Sequence, residues 1–232
     1  MVNVNTVYQT VLLILNQQQR GYITPDEFNK IATQAQLTMF EAYASDLNQQ
    51  YRLPDNDTEY ADRVKNIQQK LQFFQRVGST AYIGPHFKLN TAGSDVLYRL
   101  GSIFYKNIEL GQYSQRNEIT QLLLSPLTQP TEKFPIYLYE NDELYVYPTT
   151  IQSDITFSYL AKPRDVVWGF TTGAQGQYLY ASGTSVQFDL DVTEQDELIM
   201  RILAYAGVII QDPTIIQTAS QAVANQDNNE KQ

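Results

Sequence analysis

Apolar positions in this chain follow a helical period at both ends and a shorter one in the middle. Near the start, Val7, Val11, Leu12, Ile14 and Leu15 trace a first helix. Gly21, after a run of glutamines, reads as its C-cap. Residues 21–41, GYITPDEFNKIATQAQLTMFE, then specify a second helix start in detail. Thr24 suits the N-cap, Pro25 the first helical position, and Glu27 the third, from which a carboxylate reaches back to the cap. Ile23 and Phe28 flank the cap as a hydrophobic staple. Phe28, Ile31, Ala35, Met39, Ala42 and Leu47 continue at helical spacing, with a second edge at Leu37, Phe40 and Ala44. This predicts a helix covered on two sides and ending near Leu53-Pro54. At roughly 25 residues it would run about 37 Å, more than a small domain covers, so neighbouring subunits are a natural second cover. Tyr60, Val64, Ile67, Leu71 and Phe74 predict a third helix to about Val77, stopped by Gly78.

From Ser79 to Asp191 the period shifts toward two. Strands are expected over 81–83 and, weakly because of Gly101, over 99–105; residues 118–124 fit either a short helix or a strand. The clearest pair is 136–139 with 144–147, turned at Asn141-Asp142. Ile136, Leu138, Leu144 and Val146 fall in one parity class, and Tyr137, Tyr139, Tyr145 and Tyr147 in the other. This predicts one aliphatic and one tyrosine face, both needing cover. Residues 155–160 read as the third strand of the same meander. A further hairpin joins 177–180 to 185–190 through Ser182-Gly183.

Helical spacing then returns. Thr193 with Asp196 reads as an N-cap signal, Leu198, Ile199, Ile202, Leu203 and Ala206 as an apolar stripe, and Gly207 as its end. Asp212-Pro213 opens a last helix through Ile215, Ile216, Ala219 and Val223, before a polar tail. The expected fold class is α+β, with N- and C-terminal helices packed as a bundle around an inserted antiparallel β region. The expected domains are a helical one of residues 1–78 and 192–226, a β-rich one of residues 79–191, and a tail of residues 227–232.

Composition narrows the function. A net charge of −9 and no Lys/Arg block argue against a protein that grips nucleic acid, since such affinity comes from neutralising phosphates. The absence of cysteine removes disulfides, thiol nucleophiles and thiolate zinc sites. The longest apolar run, residues 11–15, is far too short to span a bilayer, and the N-terminus lacks the basic region of a signal peptide, so a soluble protein is expected. Charged residues are 18% of the chain while tyrosines number 17, and tyrosine supplies apolar area with one polar tip, as interfaces use it. An assembly subunit fits this balance better than a free enzyme.

Candidate chemistry is sparse. Placing Gly21 at the sixth position of a calcium loop puts Glu27 at the twelfth, but Asn16, Gln18 and Arg20 then fall at the first ligand positions, and a cation cannot replace an oxygen ligand. His86 is the sole histidine and has no G-x-S-x-G beside it, so a structural role outweighs catalysis. Neither a P-loop nor a G-x-G-x-x-G occurs. The acidic set Asp189, Asp191, Glu194, Asp196 and Glu197 could meet a divalent cation, but acids at a helix N-terminus are stabilised by the macrodipole without a metal. No catalytic, cofactor or metal residue is therefore assigned. Candidate interface residues are Tyr137, Tyr139, Tyr145, Tyr147, Arg164, Trp168, Ile215 and Ile216, with Trp168, the only tryptophan, favoured as core.

The block 5–54 with its GYITPDEFN start, the segment YLAKPRDVVWGF at 159–170 and the closing VQFDLDVTEQDELIMRILAYAGVIIQDP at 186–213 resemble structural proteins of short-tailed phages of the crAss-like group. These segments cover about half of the chain, and their specificity lies in combined order. The resemblance implies a non-enzymatic ring or head-to-tail connector subunit, assembled in the bacterial cytoplasm and carried in the virion neck or tail. It implies a homo-oligomeric ring, twelvefold to match a portal, that contacts the portal above and another ring or tail protein below. DNA would pass through without specific binding, and no membrane is involved. Ring closure requires a heterologous interface, one patch meeting a different patch on the next copy. Rival readings are a virion-associated hydrolase, for which Asp189 and Asp191 would be the carboxylates to substitute, and a monomeric assembly factor absent from mature particles.

Overall fold

A computed structural model describes the backbone of residues 1–17, 22–50, 58–93, 95–113, 115–210 and 213–230, and the side chains of these except 17, 48–50, 58–63, 208–210, 213–216 and 226–230. Three helices, α1 (Val4–Gln17), α2 (Pro25–Gln50) and α3 (Thr58–Leu71), precede strands β1 (Gln75–Ile83), β2 (His86–Asn90), β3 (Leu97–Tyr105), β4 (Ile108–Glu109) and β5 (Gly111–Tyr113). Helix α4 (Arg116–Leu124) leads to β6 (Ile136–Glu140), β7 (Glu143–Tyr147) and β8 (Ile155–Ala161). Short strands β9 (Phe170–Thr172) and β10 (Tyr178–Tyr180) precede α5 (Gln195–Ile210) and α6 (Pro213–Glu230). The chain divides into two compact units, Met1–Phe73 with Pro163–Gln232, and Phe74–Lys162.

The second unit is a nearly closed, barrel-like sheet of eight strands in the order β4-β3-β8-β1-β2-β7-β6-β5. Its two end strands are consecutive in the chain and separated only by Leu110. The Leu110 N–H donates to the Ile103 carbonyl at 2.9 Å and the Gly111 N–H to the Pro135 carbonyl at 3.1 Å, so one residue carries the chain from one sheet edge to the other. Side chains fill the interior, as is usual for eight strands. Phe87, Ile103, Leu110, Leu144, Phe157 and Tyr159 are among those buried there. Turn chemistry sets two hairpins: Lys106 and Asn107, and Asn141 and Asp142, all take positive φ, the two-residue geometry whose twist suits a hairpin.

These observations correct the expected fold class. The helices are not packed as a bundle around an inserted β region. The sheet is mixed, because β5 pairs with β6 in parallel. A parallel neighbour needs a crossover of a dozen or more residues, and the stretch containing α4 supplies it. Strand β8 pairs with β1 and β3 and does not extend the β6–β7 hairpin. Helix α3 stops at Leu71 and β1 already includes Gly78, where a Cβ would stand 2.4 Å from Phe157 Cζ; the glycine serves barrel packing and not a helix stop. The 177–180 segment pairs with β9, not with 185–190, and Ser182–Thr184 forms a 3-10 turn. Helix α5 passes through Gly207. The backbone stays helical to Glu230 where a tail was expected to start at 227.

In the first unit the capping box forms as read. The Thr24 N–H donates to Glu27 Oε2 at 2.9 Å, the Thr24 hydroxyl to the same oxygen at 2.7 Å, and the Glu27 N–H to Thr24 Oγ1 at 3.4 Å. Ile23 and Phe28 are both buried. A second stripe of α2 is polar and ties an extended segment to the helix. Asn29 Oδ1 accepts from the Trp168 N–H at 2.7 Å, Thr33 Oγ1 from the Val166 N–H at 3.0 Å, and Gln36 Nε2 donates to the Arg164 carbonyl at 2.9 Å. Steps of four and three residues on a helix advance about 6.0 and 4.5 Å, close enough to the ~6.6 Å of two extended residues for successive rungs to meet.

Candidate functional site: the outer face of the barrel

The two-residue turn of the β6–β7 hairpin fixes its register, with Glu140 opposite Glu143, Leu138 opposite Tyr145 and Tyr137 opposite Val146. Cross-strand partners share a face. Tyr137 and Tyr139 therefore lie with Leu144 and Val146 toward the interior, while Tyr145 and Tyr147 lie with Ile136 and Leu138 on the outer face. The expected separation into an aliphatic and a tyrosine face does not occur; each face is mixed.

Around Tyr145 the outer face brings together Glu143, His86, Arg116 and Glu140. The Tyr145 hydroxyl donates to Glu143 Oε2 at 2.6 Å, and the other oxygen of Glu143 lies 3.5 Å from His86 Nε2. The His86 and Tyr145 rings are 5.8 Å apart. From the first turn of α4, Arg116 lays its guanidinium 5.0 Å over the Tyr145 ring and donates to Glu140 Oε2 from Nη2 at 2.6 Å and from Nε at 3.1 Å. The Glu140 hydrogen bond holds the Arg116 proton more tightly than usual, and the bond to Glu143 raises the Tyr145 pKa. Tyr145 thus stays a donor at neutral pH. Burial, then the hydrogen bond to Asp142, pushes Tyr139 up to about 12, and burial raises Tyr137.

Arg116 anchors an excursion that then leaves the sheet. Beyond α4 the chain turns tightly, the Thr128 and Gln129 N–H groups both donating to the Ser125 carbonyl. Three large apolar side chains project from this stretch: Leu124 is 79% exposed, Leu127 97% and Phe134 79%. Isolated exposed leucines are ordinary, but three nearly unburied apolar side chains within eleven residues form a protrusion that water disfavours. Sequence reasoning missed it. The available signal was the Leu122-Leu123-Leu124 run followed by Ser-Pro, which has more apolar residues than a nine-residue helix can bury on one side.

Other sequence-selected residues lie elsewhere. Trp168 is only 4% exposed; its Nε1 donates to Asn5 Oδ1 at 3.0 Å and its ring lies 4.4 Å from Tyr8, a core position. Arg164 is half-exposed, and its guanidinium forks onto buried Asp189, Nη2 to Oδ1 at 2.5 Å and Nε to Oδ2 at 3.1 Å. The Ile215 and Ile216 side chains, and the calcium-loop positions Gln18 and Arg20, lie outside the described residues. The acidic set is dispersed: Asp191 accepts from the Val192 N–H, Glu194 takes the Tyr43 hydroxyl at 2.6 Å and Lys70 Nζ at 3.3 Å, and Glu197 pairs with Arg201. Among the described residues no group of three His, Cys, Asp or Glu side chains is placed to hold a metal ion. No helix among them is long and apolar enough to cross a membrane.

No protein-family model matches this chain. A comparison with curated proteins likewise finds no match.

Proposed function

We propose that this chain is a structural subunit of the neck or tail of a short-tailed phage, a ring or head-to-tail connector that docks below the portal, self-assembles and extends the DNA channel. The observation that carries the reading is the exposed apolar protrusion of Leu124, Leu127 and Phe134, which calls for a protein partner. The Arg116–Tyr145 stack at the start of α4 supplies residue types that dominate interface energetics. The resemblance of residues 5–54, 159–170 and 186–213 to crAss-like virion proteins supplies the phage context. An acidic chain without basic blocks suits a channel that lets DNA slide.

Quantitative mass spectrometry of purified virions tests this. A connector subunit is present in every particle at a fixed ratio to the portal protein. A chain absent from mature particles would refute the reading and favour a transient assembly factor.

A further inference from the structure

We propose that residues 115–134, helix α4 and the stretch that returns toward β6, form an arm that opens from the barrel as one piece, with the fork of Arg116 on Glu140 as the catch that holds it closed. Such an arm is a property of the single chain and does not depend on the assembly reading above.

The sheet leaves the arm free at its base. Strands β5 and β6, between which it runs, are parallel neighbours, Gly111 opposite Ile136 and Tyr113 opposite Leu138, and the Gly111 N–H donates to the Pro135 carbonyl. The arm can therefore leave without breaking a rung of the sheet. Little else retains it. From Gln115 to Phe134 only Ile119 and Pro130 are buried. Its turns, and its Thr120 and Thr128 hydroxyls, bond within the arm itself. Among the described residues, side-chain hydrogen bonds tie it to the rest of the barrel at two places: Arg116 on Glu140 and Tyr145, and the Thr150 hydroxyl on Glu132 Oε1 at 3.2 Å. Segments with so few buried apolar contacts open locally, well below the free energy of global unfolding. A helix of nine residues, as α4 is, does not persist in water without packing, so opening melts it.

Arg116 serves the catch and not the helix. It stands in the first turn of α4, where the positive end of the helix dipole disfavours a cation, and no side chain caps the helix at Gln115. Its gain lies across the gap to the sheet. The guanidinium gives two hydrogen bonds to Glu140 Oε2, at 2.6 and 3.1 Å, and covers the Tyr145 ring at 5.0 Å. The Arg116 and Glu140 side chains are 57% and 49% exposed, so dissolved salt screens their attraction. Ionic strength therefore sets how often the arm opens, and opening carries the exposed Leu124 and Leu127 away from the barrel wall.

Hydrogen–deuterium exchange of the full chain, resolved by peptide mass spectrometry, tests this on the α4 amides of residues 120–124. In about 0.01 M salt they are expected to exchange faster than the amides of β6 and β7 yet slower than unprotected ones, and to speed up in about 1 M salt, where the Debye length falls from about 30 Å to about 3 Å. Arg116→Leu is expected to speed them about three- to tenfold, the worth of an exposed ion pair with a cation–π contact, to leave β6 and β7 unchanged and to abolish the salt response. A role for Arg116 in the helix alone gives the opposite sign, because removing a cation from the first turn strengthens α4 and slows exchange. Should Arg116→Leu also speed the strands, Glu140→Gln, which keeps the side-chain shape and removes only the charge, decides between local and global loosening. Arm amides as slow as the strands or wholly unprotected, arm amides indifferent to salt, Arg116→Leu without acceleration, or an acceleration that both variants share with the strands overturns the proposal.

Discussion

The Gln36 carboxamide accepts a hydrogen bond from the Asp189 backbone N–H at 2.8 Å while donating to the Arg164 carbonyl at 2.9 Å, and Gln36 is fully buried. One side chain thus closes a circuit with the Arg164–Asp189 ion pair, holding two irregular segments on α2. Gln36→Leu keeps the volume but strands a buried donor and acceptor. Each costs roughly 1–3 kcal/mol, so we expect a loss of about 2–6 kcal/mol in urea denaturation, and Gln36→Glu, which adds a charge near Asp189, to be no better tolerated.

Gly78→Ala should destabilise through overpacking. Its Cβ would stand 2.4 Å from Phe157 Cζ and 2.9 Å from the Asn90 carbonyl oxygen, and the backbone atom cannot swing aside. A loss of about 1–3 kcal/mol is expected from chemical denaturation. Gly183→Ala, where a Cβ meets nothing within 4 Å, should change stability little.

The capping box predicts an acid-sensitive helix start. The Thr24 N–H and hydroxyl hold the Glu27 carboxyl below its ordinary 4.5. A depressed folded-state pKa contributes stability that is present above the unfolded value and lost as pH falls through the folded one. Thr24→Ala should cost about 1 kcal/mol at neutral pH. That difference should shrink as the pH drops below 4.5, measured by thermal melts of both proteins from pH 7 to pH 3.

Tyr139 gives the opposite sign. Its pKa rises from 10.0 to about 12 in the fold, first through burial and then through Asp142. Stability is complete below pH 10 and is lost as pH climbs toward 12. Tyr139→Phe should therefore flatten the alkaline fall in stability between pH 10 and 12 and remove one late-titrating group from the tyrosinate absorbance curve.

Much of the helical architecture was legible because its signals are local. Thr24, Pro25 and Glu27 lie within four residues, and the apolar stripe of α2 repeats on its own period. The β6–β7 turn was legible too, and it held more than was read from it. A two-residue loop pairs Glu140 with Glu143, which forces 137 opposite 146 and mixes tyrosines with aliphatics on both faces. Strand partners far apart in sequence left no such trace: nothing local to 155–161 says that its neighbours are β1 and β3. Gly78 was read as a stop because the helical spacing ends beside it, whereas its constraint comes from Phe157 across the sheet. The polar stripe Asn29, Thr33 and Gln36 has helical spacing, but its partners lie more than 120 residues away. Tyrosine content singled out the β6–β7 hairpin as a candidate interface, yet Tyr137 belongs to the interior. The Leu127 protrusion escaped notice because apolar residues are assumed buried.

The most direct measurement is the mass and negative-stain image of the purified full chain, alone and mixed with the portal protein of the same genome. The account predicts closed rings or a stoichiometric complex on the portal. A chain that stays monomeric and does not bind the portal would contradict it.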